Sequence, residues 1–201
     1  MKPYKEAKHV VIDIETMGIE TGAPIIQIAA ASVLYSEKEK CPIVRSEFCR
    51  FISLESNANK GLTKFDGDTL EWWLNQAERS KEAMNVLKEA AHGDRLYDAI
   101  SEYLDWDYLF GTSSDDNIDT YYWSRGTDFD FRHLGNAVKL FGFQTPWKFW
   151  QLRDLRTIDD PAFVGDYTRP KDLHDARLDV DNAVHLLCWA IWRQCPAHYL
   201  K

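Results

Sequence analysis

Three apolar segments near the start of the chain have the length and composition of β-strands. Residues 9–14 are rich in β-branched side chains and lead into a turn at Gly18, and apolar runs follow at residues 25–35 and 44–53. Short apolar runs separated by turn residues are typical of buried strands. Because no helical pattern comes between the three segments, we expect them to pair as a meander.

A helical region follows these strands. Thr69, Ser80 and Asp94 each stand before a stretch with helical apolar periodicity, so each is predicted to be the N-cap of a helix. The segment 55–93 is therefore expected to form an irregular and helical excursion from the sheet.

The second half of the chain alternates strand and helix patterns. Residues 121–124 predict a fourth strand, 127–141 a helix, 152–158 a short fifth strand, and 180–191 a final helix that ends before Pro196. Strands first and alternating elements afterwards favour an α/β fold, a sheet with helices on both faces, over a helical bundle or a β-sandwich.

The composition is that of a globular, acidic protein. With 201 residues, of which 45% are apolar, the chain can bury a full core, and we expect residues 1–201 to form a single domain. The formal charge of −8 has the wrong sign for a protein that coats duplex phosphate, which argues against histone-like and repressor-like binders. It is compatible with an enzyme whose acidic site is neutralised by bound cations.

Cysteine usage and the apolar stretches bear on location. The four cysteines form no CxxC pair and no zinc-type spacing, which favours reduced thiols in a cytoplasmic protein. Asp13 interrupts the N-terminal apolar run, so no signal peptide is expected. The apolar stretch 183–192 is about half as long as a bilayer requires, so no membrane span is expected either. The cysteines are Cys41, Cys49, Cys188 and Cys195.

Two carboxylates interrupt the first predicted strand. Asp13 and Glu15 are two residues apart, so their side chains lie on the same face of the strand. Neighbouring carboxylates repel one another unless a cation lies between them. The pair therefore indicates a cation site, although acids near the end of a strand can also simply meet solvent.

A second acidic cluster lies where the fourth strand meets the following helix. Asp130 comes three residues after Thr127, a spacing that matches a capping box, in which the acid only satisfies backbone N–H groups. Taken by itself, this segment favours the cap over a metal ligand. Asp128 is a second acid that competes for any ligand role.

The third cluster combines a histidine with several acids before the last helix. Asp172 and Asp175 are explained by the preference of acids for a helix N-terminus. His174 and Asp179 are five residues apart, about 140° around a helix, so both can reach one site only if His174 lies on a loop or in the first turn. We therefore expect His174 on a mobile segment.

In this order, the three clusters resemble the DEDDh exonucleases: a D-x-E strand, an F-D turn into a helix, and H-x₄-D near the C-terminus. The related class that uses tyrosine needs that residue four positions before the last aspartate, and Asp175 stands there. The segments TLEWW, WSRGTDFDF, KFWQLRDLRT and HDARLDVD are also similar to the T-even type of phage exonuclease A.

The resemblance implies a fold, a metal site and a set of roles. The fold would be ribonuclease-H-like, with a mixed five-stranded sheet and helices on both faces. Asp13, Glu15, Asp179 and Asp130, rather than Asp128, would bind two Mg²⁺ ions, with Mn²⁺ as an alternative. Asp13 would bridge the ions, and Glu15 and Asp179 would complete the ion nearest the nucleophile. His174 would be the general base, so activity should rise as the pH approaches about 8.

The resemblance implies less about the substrate. It favours hydrolysis at the 3′ end of single-stranded DNA with release of nucleoside 5′-monophosphates. An exoribonuclease or a catalytically silent binding module with the same fold are the alternatives, and homodimerisation occurs among relatives. The first candidates for substrate contact are Met17, Gly18, Ile19, Arg125 and Trp73. Trp72, Trp147, Trp150, Arg153 and Arg156 are further candidates, with core packing or ion pairing as the alternative for each tryptophan and arginine.

Overall fold

The first quarter of the chain forms the expected meander. In the computed structural model, which describes residues 4–111, 119–160, 164–165, 167 and 174–196, the first three strands are β1 (Lys8–Thr16), β2 (Ile25–Ser36) and β3 (Cys41–Phe51). β2 pairs antiparallel with both β1 and β3. β1 and β2 extend beyond the apolar runs that predicted them, and β3 begins three residues earlier than predicted. The backbone pairing between the strands continues through polar residues.

Two parallel strands complete the sheet on the other side of β1. β4 (Thr120–Ser124) pairs parallel with β1, and β5 (Leu152–Asp154) pairs parallel with β4. The five strands of the described residues have the order β3-β2-β1-β4-β5. β5 is shorter than predicted because Asp154 accepts a hydrogen bond from the backbone N–H of Arg156 and begins a 3₁₀ turn. The expected mixed five-stranded sheet is confirmed, and β1 lies at its centre.

Four α-helices lie in the described part of the segment between β3 and β4, and the last is followed by a π-helical turn at Asp107–Gly111. They are α1 (Leu54–Ala58), α2 (Gly67–Arg79), α3 (Lys81–Ala91) and α4 (Leu96–Trp106). Ser80 caps α3 as predicted.

The other two predicted caps in this region are wrong. The N-cap of α2 is Asp66, which accepts hydrogen bonds from both Asp68 N–H and the Thr69 hydroxyl. α4 begins after Arg95, without a side-chain cap, one residue later than the predicted cap at Asp94. The observed N-caps lie three residues before the predicted cap at Thr69 and one residue after the predicted cap at Asp94.

Among the residues that the structure describes, two further α-helices accompany the parallel strands. α5 (Thr127–Leu140) follows β4, and α6 (Ala176–Trp192) closes the described part of the chain. α6 ends when Arg193 adopts a left-handed backbone with φ of 58°, so the helix stops before Pro196 is reached. No helix in the described part of the chain has both the length and the apolar character that a membrane span needs.

The sheet separates two apolar layers. Val10, Ile12 and Ile14 of β1 pack against α4 and α5 on one face. Val11 lies in the layer on the opposite face, which α6 covers. Because side chains alternate along a strand, Asp13 and Glu15 belong to the face of Val11 and point toward α6. The fold therefore places helices on both faces, as predicted, and directs the first acidic pair toward the last helix.

A buried histidine links β1 to β4. His9 is fully buried, and Trp123 Nε1 donates a 2.9 Å hydrogen bond to its Nδ1. Because Nδ1 accepts, the neutral ring carries its proton on Nε2, which donates to the Tyr4 carbonyl at 2.9 Å. Burial lowers the pKa of His9 to about 4, although the hydrogen bond to Tyr4 partly opposes this.

The lowered pKa makes His9 a source of acid instability. Between the ordinary pKa of 6.5 and the folded value of about 4, the unfolded chain binds more protons at His9 than the native protein, so stability increases with pH in this window. Lowering the pH from about 7 to about 4 should cost on the order of 3 kcal/mol at this residue. Denaturant unfolding of the wild type and of His9→Gln, which retains a donor and an acceptor, measures this cost as the difference between their pH dependences. Parallel pH profiles would contradict it.

Candidate functional site

Three carboxylates from two elements meet above the centre of the sheet. Asp13 and Glu15 of β1 and Asp179 of α6 each present a carboxylate oxygen, and these oxygens lie within 4.8 Å of one another. All three residues are half-buried. Like charges at this separation in a partly desolvated place repel strongly, so the arrangement needs a compensating positive charge.

The local structure of each element explains this convergence. Ile12 and Ile14 anchor β1 in the apolar layer on the far side, so the residues between and after them must face α6. Asp179 lies in the first turn of α6, where its backbone N–H donates to the Asp175 carbonyl at 2.9 Å. Its carboxylate also accepts from the Asp175 N–H at 3.4 Å, so the first turn of the helix holds the acid at the sheet.

Asp130 approaches the same place from the start of α5. It is 3% exposed, and its carboxylate accepts a 3.3 Å hydrogen bond from the backbone N–H of Ile14, between the two acids of β1. Burial raises the pKa of Asp130 to about 7, an effect that the polar groups of Ser124 and Ile14 partly offset. A buried carboxyl group of this kind is easier to ionise when a cation is close to it.

The capping-box interpretation of Asp130 is wrong. The N-cap of α5 is Gly126, with φ of 131°, and the backbone N–H of Thr127 in the first turn donates to the Asp154 carboxylate of β5. Asp130 is thus left to reach β1, while Asp128 is exposed and does not line the cavity described below. Of the two competing acids, Asp130 is the one that the fold brings to Asp13 and Glu15.

His174 lies immediately before α6, off the helix. Its backbone is left-handed, with φ of 56°, and the next residue, Asp175, is the N-cap. The imidazole meets the Trp72 ring edge to face, with the ring centroids 4.6 Å apart. The predicted position outside the helix is confirmed, and the expected mobility of this segment stays a prediction; Asp172 lies outside the described residues. Placing His174 before the helix removes the angular conflict with Asp179.

One open cavity of about 230 Å³ unites these side chains. It contains every acid of the three sequence clusters that the resemblance assigned, together with His174 and Arg125. Phe129, Leu155 and Asn182 also line it and had no sequence signal that distinguished them from ordinary core or helix residues. The lining residues are Ile12, Asp13, Ile14, Glu15, Arg125, Phe129, Asp130, Leu155, His174, Asp179, Asn182, Ala183 and Leu186.

The donor set fits hard divalent cations. Asp13, Glu15 and Asp179 offer only carboxylate oxygens, and no cysteine lines the cavity. Mg²⁺ and Mn²⁺ prefer such oxygen ligands, whereas zinc sites are usually built from cysteine and histidine. The residues present therefore suit the kind of ion that the sequence resemblance implied.

The segment after β1 presents one of its three candidate contact residues to solvent. Met17 and Gly18 are buried, and the Met17 side chain packs in a small apolar cluster with Trp73. The buried Met17 side chain is therefore not the one that could insert between bases, while an approach of the backbone of this segment to the terminal nucleotide stays a prediction. Ile19 is 63% exposed and remains available.

The two adjacent tryptophans of α2 have different environments. Trp73 is 1% exposed and donates a 2.9 Å hydrogen bond from Nε1 to the Thr16 carbonyl at the end of β1. The prediction that Trp73 contacts substrate is therefore wrong, because its ring is closed off by the core. Trp72 is 37% exposed and borders the cavity through its contact with His174.

Of the three candidate arginines, Arg125 is the one that lines the cavity. Its guanidinium forms a 2.6 Å ion pair with Asp159, which orients it. Arg156 instead pairs with Asp154, and Arg153 stacks on Tyr121. Because Asp159 is 34 residues from Arg125, no local sequence pattern could have identified this ion pair. Of the remaining two candidate tryptophans, Trp147 is buried and Trp150 is 49% exposed.

Comparisons with known proteins agree with this geometry. A family model described as the 3′-5′ exoribonuclease Rv2179c-like domain matches residues 8–192. The chain is 29% identical over 181 residues to an exodeoxyribonuclease of Enterobacteria phage T4, covering 79% of this chain and 74% of the relative.

Two solved structures share the fold. Cell-death related nuclease 4 (CRN-4) superposes with a TM-score of 0.62 at 14% identity, over 95% of this chain and 66% of the nuclease. The nuclease domain of 3′hExo, a DEDDh family member bound to rAMP, superposes with a TM-score of 0.60 at 12% identity, over 96% of each chain. At these identities the likeness establishes the fold, which is that of ribonuclease-H-like nucleases.

Gly18 is predicted to be required for the path of the chain after β1. A Cβ atom at this position would lie 2.6 Å from the Lys64 carbonyl oxygen, a backbone atom that cannot rotate away. Gly18→Ala should therefore cost about 1–3 kcal/mol of stability through overpacking. Gly67→Ala is the control, because a Cβ there meets nothing within 4 Å. Equal unfolding free energies for the two variants, measured with urea, would show that the close contact is not restrictive.

Proposed function

The chain belongs to the Rv2179c-like family and is a 3′-to-5′ exonuclease of the DEDDh type, and on that premise we propose that it removes nucleotides from single-stranded DNA by a reaction that needs two divalent cations. The observation that carries this proposal is the meeting of Asp13, Glu15 and Asp179 within 4.8 Å, in a cavity that also holds Asp130 and His174. Residues from β1, α5 and α6 converge there although up to 166 positions separate them.

The proposed roles follow from the position of each side chain. Asp13, Glu15 and Asp179, with Asp130 from α5, hold the cations, for which Mg²⁺ is the first choice and Mn²⁺ the second. When bound, the ions supply stabilisation of the charge on the attacking and leaving oxygens. His174 accepts the proton of the attacking water through an imidazole nitrogen, and its contact with Trp72 orients the ring toward the cavity.

Three residues are proposed to contact the substrate strand. Arg125, held by Asp159 at the cavity, contacts a phosphate oxygen. Ile19 and Trp72 are exposed apolar side chains near the end of β1 and beside His174, where they pack against bases of the 3′-terminal nucleotides.

The choice of DNA over RNA rests on sequence likeness. The relative from phage T4, similar over 79% of this chain, is an exodeoxyribonuclease. An exoribonuclease is the second candidate, favoured by the description of the matching family as 3′-5′ exoribonucleases and by the rAMP bound to 3′hExo. The single domain, the cytoplasmic location and the pairing of two copies stay predictions from the sequence.

A time course on 5′-labelled single-stranded DNA and RNA of the same sequence tests the proposal. With Mg²⁺, wild-type protein should produce a descending ladder from the DNA and release nucleoside 5′-monophosphates, and EDTA should stop the reaction.

Asp13→Ala should abolish turnover and weaken Mn²⁺ binding, because it removes one of the three carboxylates that meet in the cluster.

The matched control is Asp128→Ala, which removes a carboxylate from α5 that is exposed and lies outside the cavity. Its ladder should be that of the wild type. A faster ladder on RNA would transfer the proposal to the second candidate, and release of nucleotides in EDTA would refute the need for a metal.

His174→Ala should slow turnover while leaving the metal site intact. Loss of a general base typically costs about 10²- to 10⁴-fold in rate. Since the carboxylate cluster does not include His174, Mn²⁺ affinity should be nearly unchanged. His92→Ala, at an exposed histidine at the end of α3, is the control. Single-turnover rates equal to those of the control would remove His174 from the reaction.

A further inference from the structure

A buried pair of side chains joins β2 to the start of α6. Gln27 is fully buried and Asp175 is 4% exposed. Gln27 Nε2 donates a 2.9 Å hydrogen bond to Asp175 Oδ1, and the backbone N–H of Ala176 donates to Gln27 Oε1 at 2.9 Å. Both ends of the Gln27 amide are therefore engaged by two consecutive residues at the helix start.

The pair stands directly beside the acidic cluster. Gln27 is the cross-strand neighbour of Glu15 in the register of β1 and β2, so both side chains project from the same face of the sheet. The hydrogen bonds of Gln27 thus fix the beginning of α6 at the level of Glu15. A polar side chain in an otherwise apolar strand is costly unless it is satisfied, and here both of its polar atoms are.

Asp175 connects this anchor to two residues of the site. Its Oδ1 also accepts from the Arg177 N–H at 3.1 Å and so caps α6. Its backbone carbonyl and N–H both bond to Asp179, at 2.9 Å and 3.4 Å. His174 immediately precedes Asp175 in the chain and has a left-handed backbone. A residue other than glycine keeps this conformation only where its surroundings enforce it.

From this chain of contacts we infer that Gln27 and Asp175 are positioning residues, which set the orientation of His174 and Asp179 relative to Asp13 and Glu15. The inference rests on the proposed function, because it requires His174 and Asp179 to take part in the reaction. An ordinary helix cap needs no such partner: Ser80 caps α3 by accepting from the Ala83 N–H, without a side chain from the sheet. What distinguishes α6 is that its cap is itself held by β2, the strand that pairs with β1 beside the site.

The test exchanges donor and acceptor within the pair. Gln27→Glu removes the donor to Asp175 and sets two carboxylates against each other. It should lower kcat about 10- to 100-fold, as losses of supporting partners around metal sites do, with KM for the oligonucleotide changed less than about threefold. Asp175→Asn alone keeps the Oδ1 acceptor and should remain close to wild type.

Combining Gln27→Glu with Asp175→Asn restores one amide donor and one carboxylate acceptor with their roles exchanged, while the amide nitrogen that takes the place of Asp175 Oδ1 no longer accepts from the Arg177 N–H. This double variant should recover kcat at least about tenfold over Gln27→Glu, because neighbouring residues in one network do not act additively. Ser80→Ala is the matched control for loss of a helix cap: it should lower the melting temperature without lowering kcat. No recovery in the double variant, or full kcat in Gln27→Glu, would overturn the inference.

A readout independent of turnover separates this inference from the proposed function. In metal-free protein, the ring-proton NMR resonances of His174 report its contact with the Trp72 ring. Gln27→Glu should shift them, the double variant should return them toward wild type, and Ser80→Ala should leave them in place. If the wild type released no nucleotides, the proposed function would fail, while these shifts would still decide whether the pair positions His174. Unchanged resonances in Gln27→Glu would refute the positioning role.

Discussion

The structure is organised around the cost of holding carboxylates together. Asp13, Glu15 and Asp179 present oxygens within 4.8 Å of one another, and Asp130 is buried against the backbone between the first two. Without positive charge this arrangement opposes folding, since like charges in a partly desolvated place repel one another. A protein bears such a cost where function requires it, and bound cations remove it.

The sheet makes this arrangement possible because one face of β1 carries apolar core residues and the other face carries the acids. Ile12 and Ile14 hold β1 in an apolar layer with α4 and α5, which makes the strand rigid and central. The alternate residues of the same strand are then free to be acidic and to face α6. Sites built on strands and helices keep their geometry better than sites on loops, and here the four acids lie in β1, α5 and α6, whereas His174 and Arg125 lie outside regular elements.

Polar contacts behind the acids tie the separate elements together. Asp130 bonds to the backbone of Ile14, Trp73 to the carbonyl of Thr16, and Gln27 to the cap of α6. Each contact joins a helix to β1 or β2 at the level of the cavity. The elements that carry the site are therefore connected to one another through buried hydrogen bonds, which are expensive to break in a place that water does not reach.

Much of the fold and of the acidic site could be predicted from the sequence, because the alternation of side chains along a strand and the order of the motifs can be seen in the sequence itself. The spacing of Asp13 and Glu15 fixes their common face, and five strands and most helices follow from apolar periodicity. Local patterns misled at Asp130, where a capping box was indicated and a bond to Ile14 is present, and at Trp73, which is buried whereas its neighbour Trp72 is exposed and contacts His174. Burial and partners across 34 to 148 residues, as for Arg125 and Gln27, depend on how elements pack, so only the tertiary structure decided them.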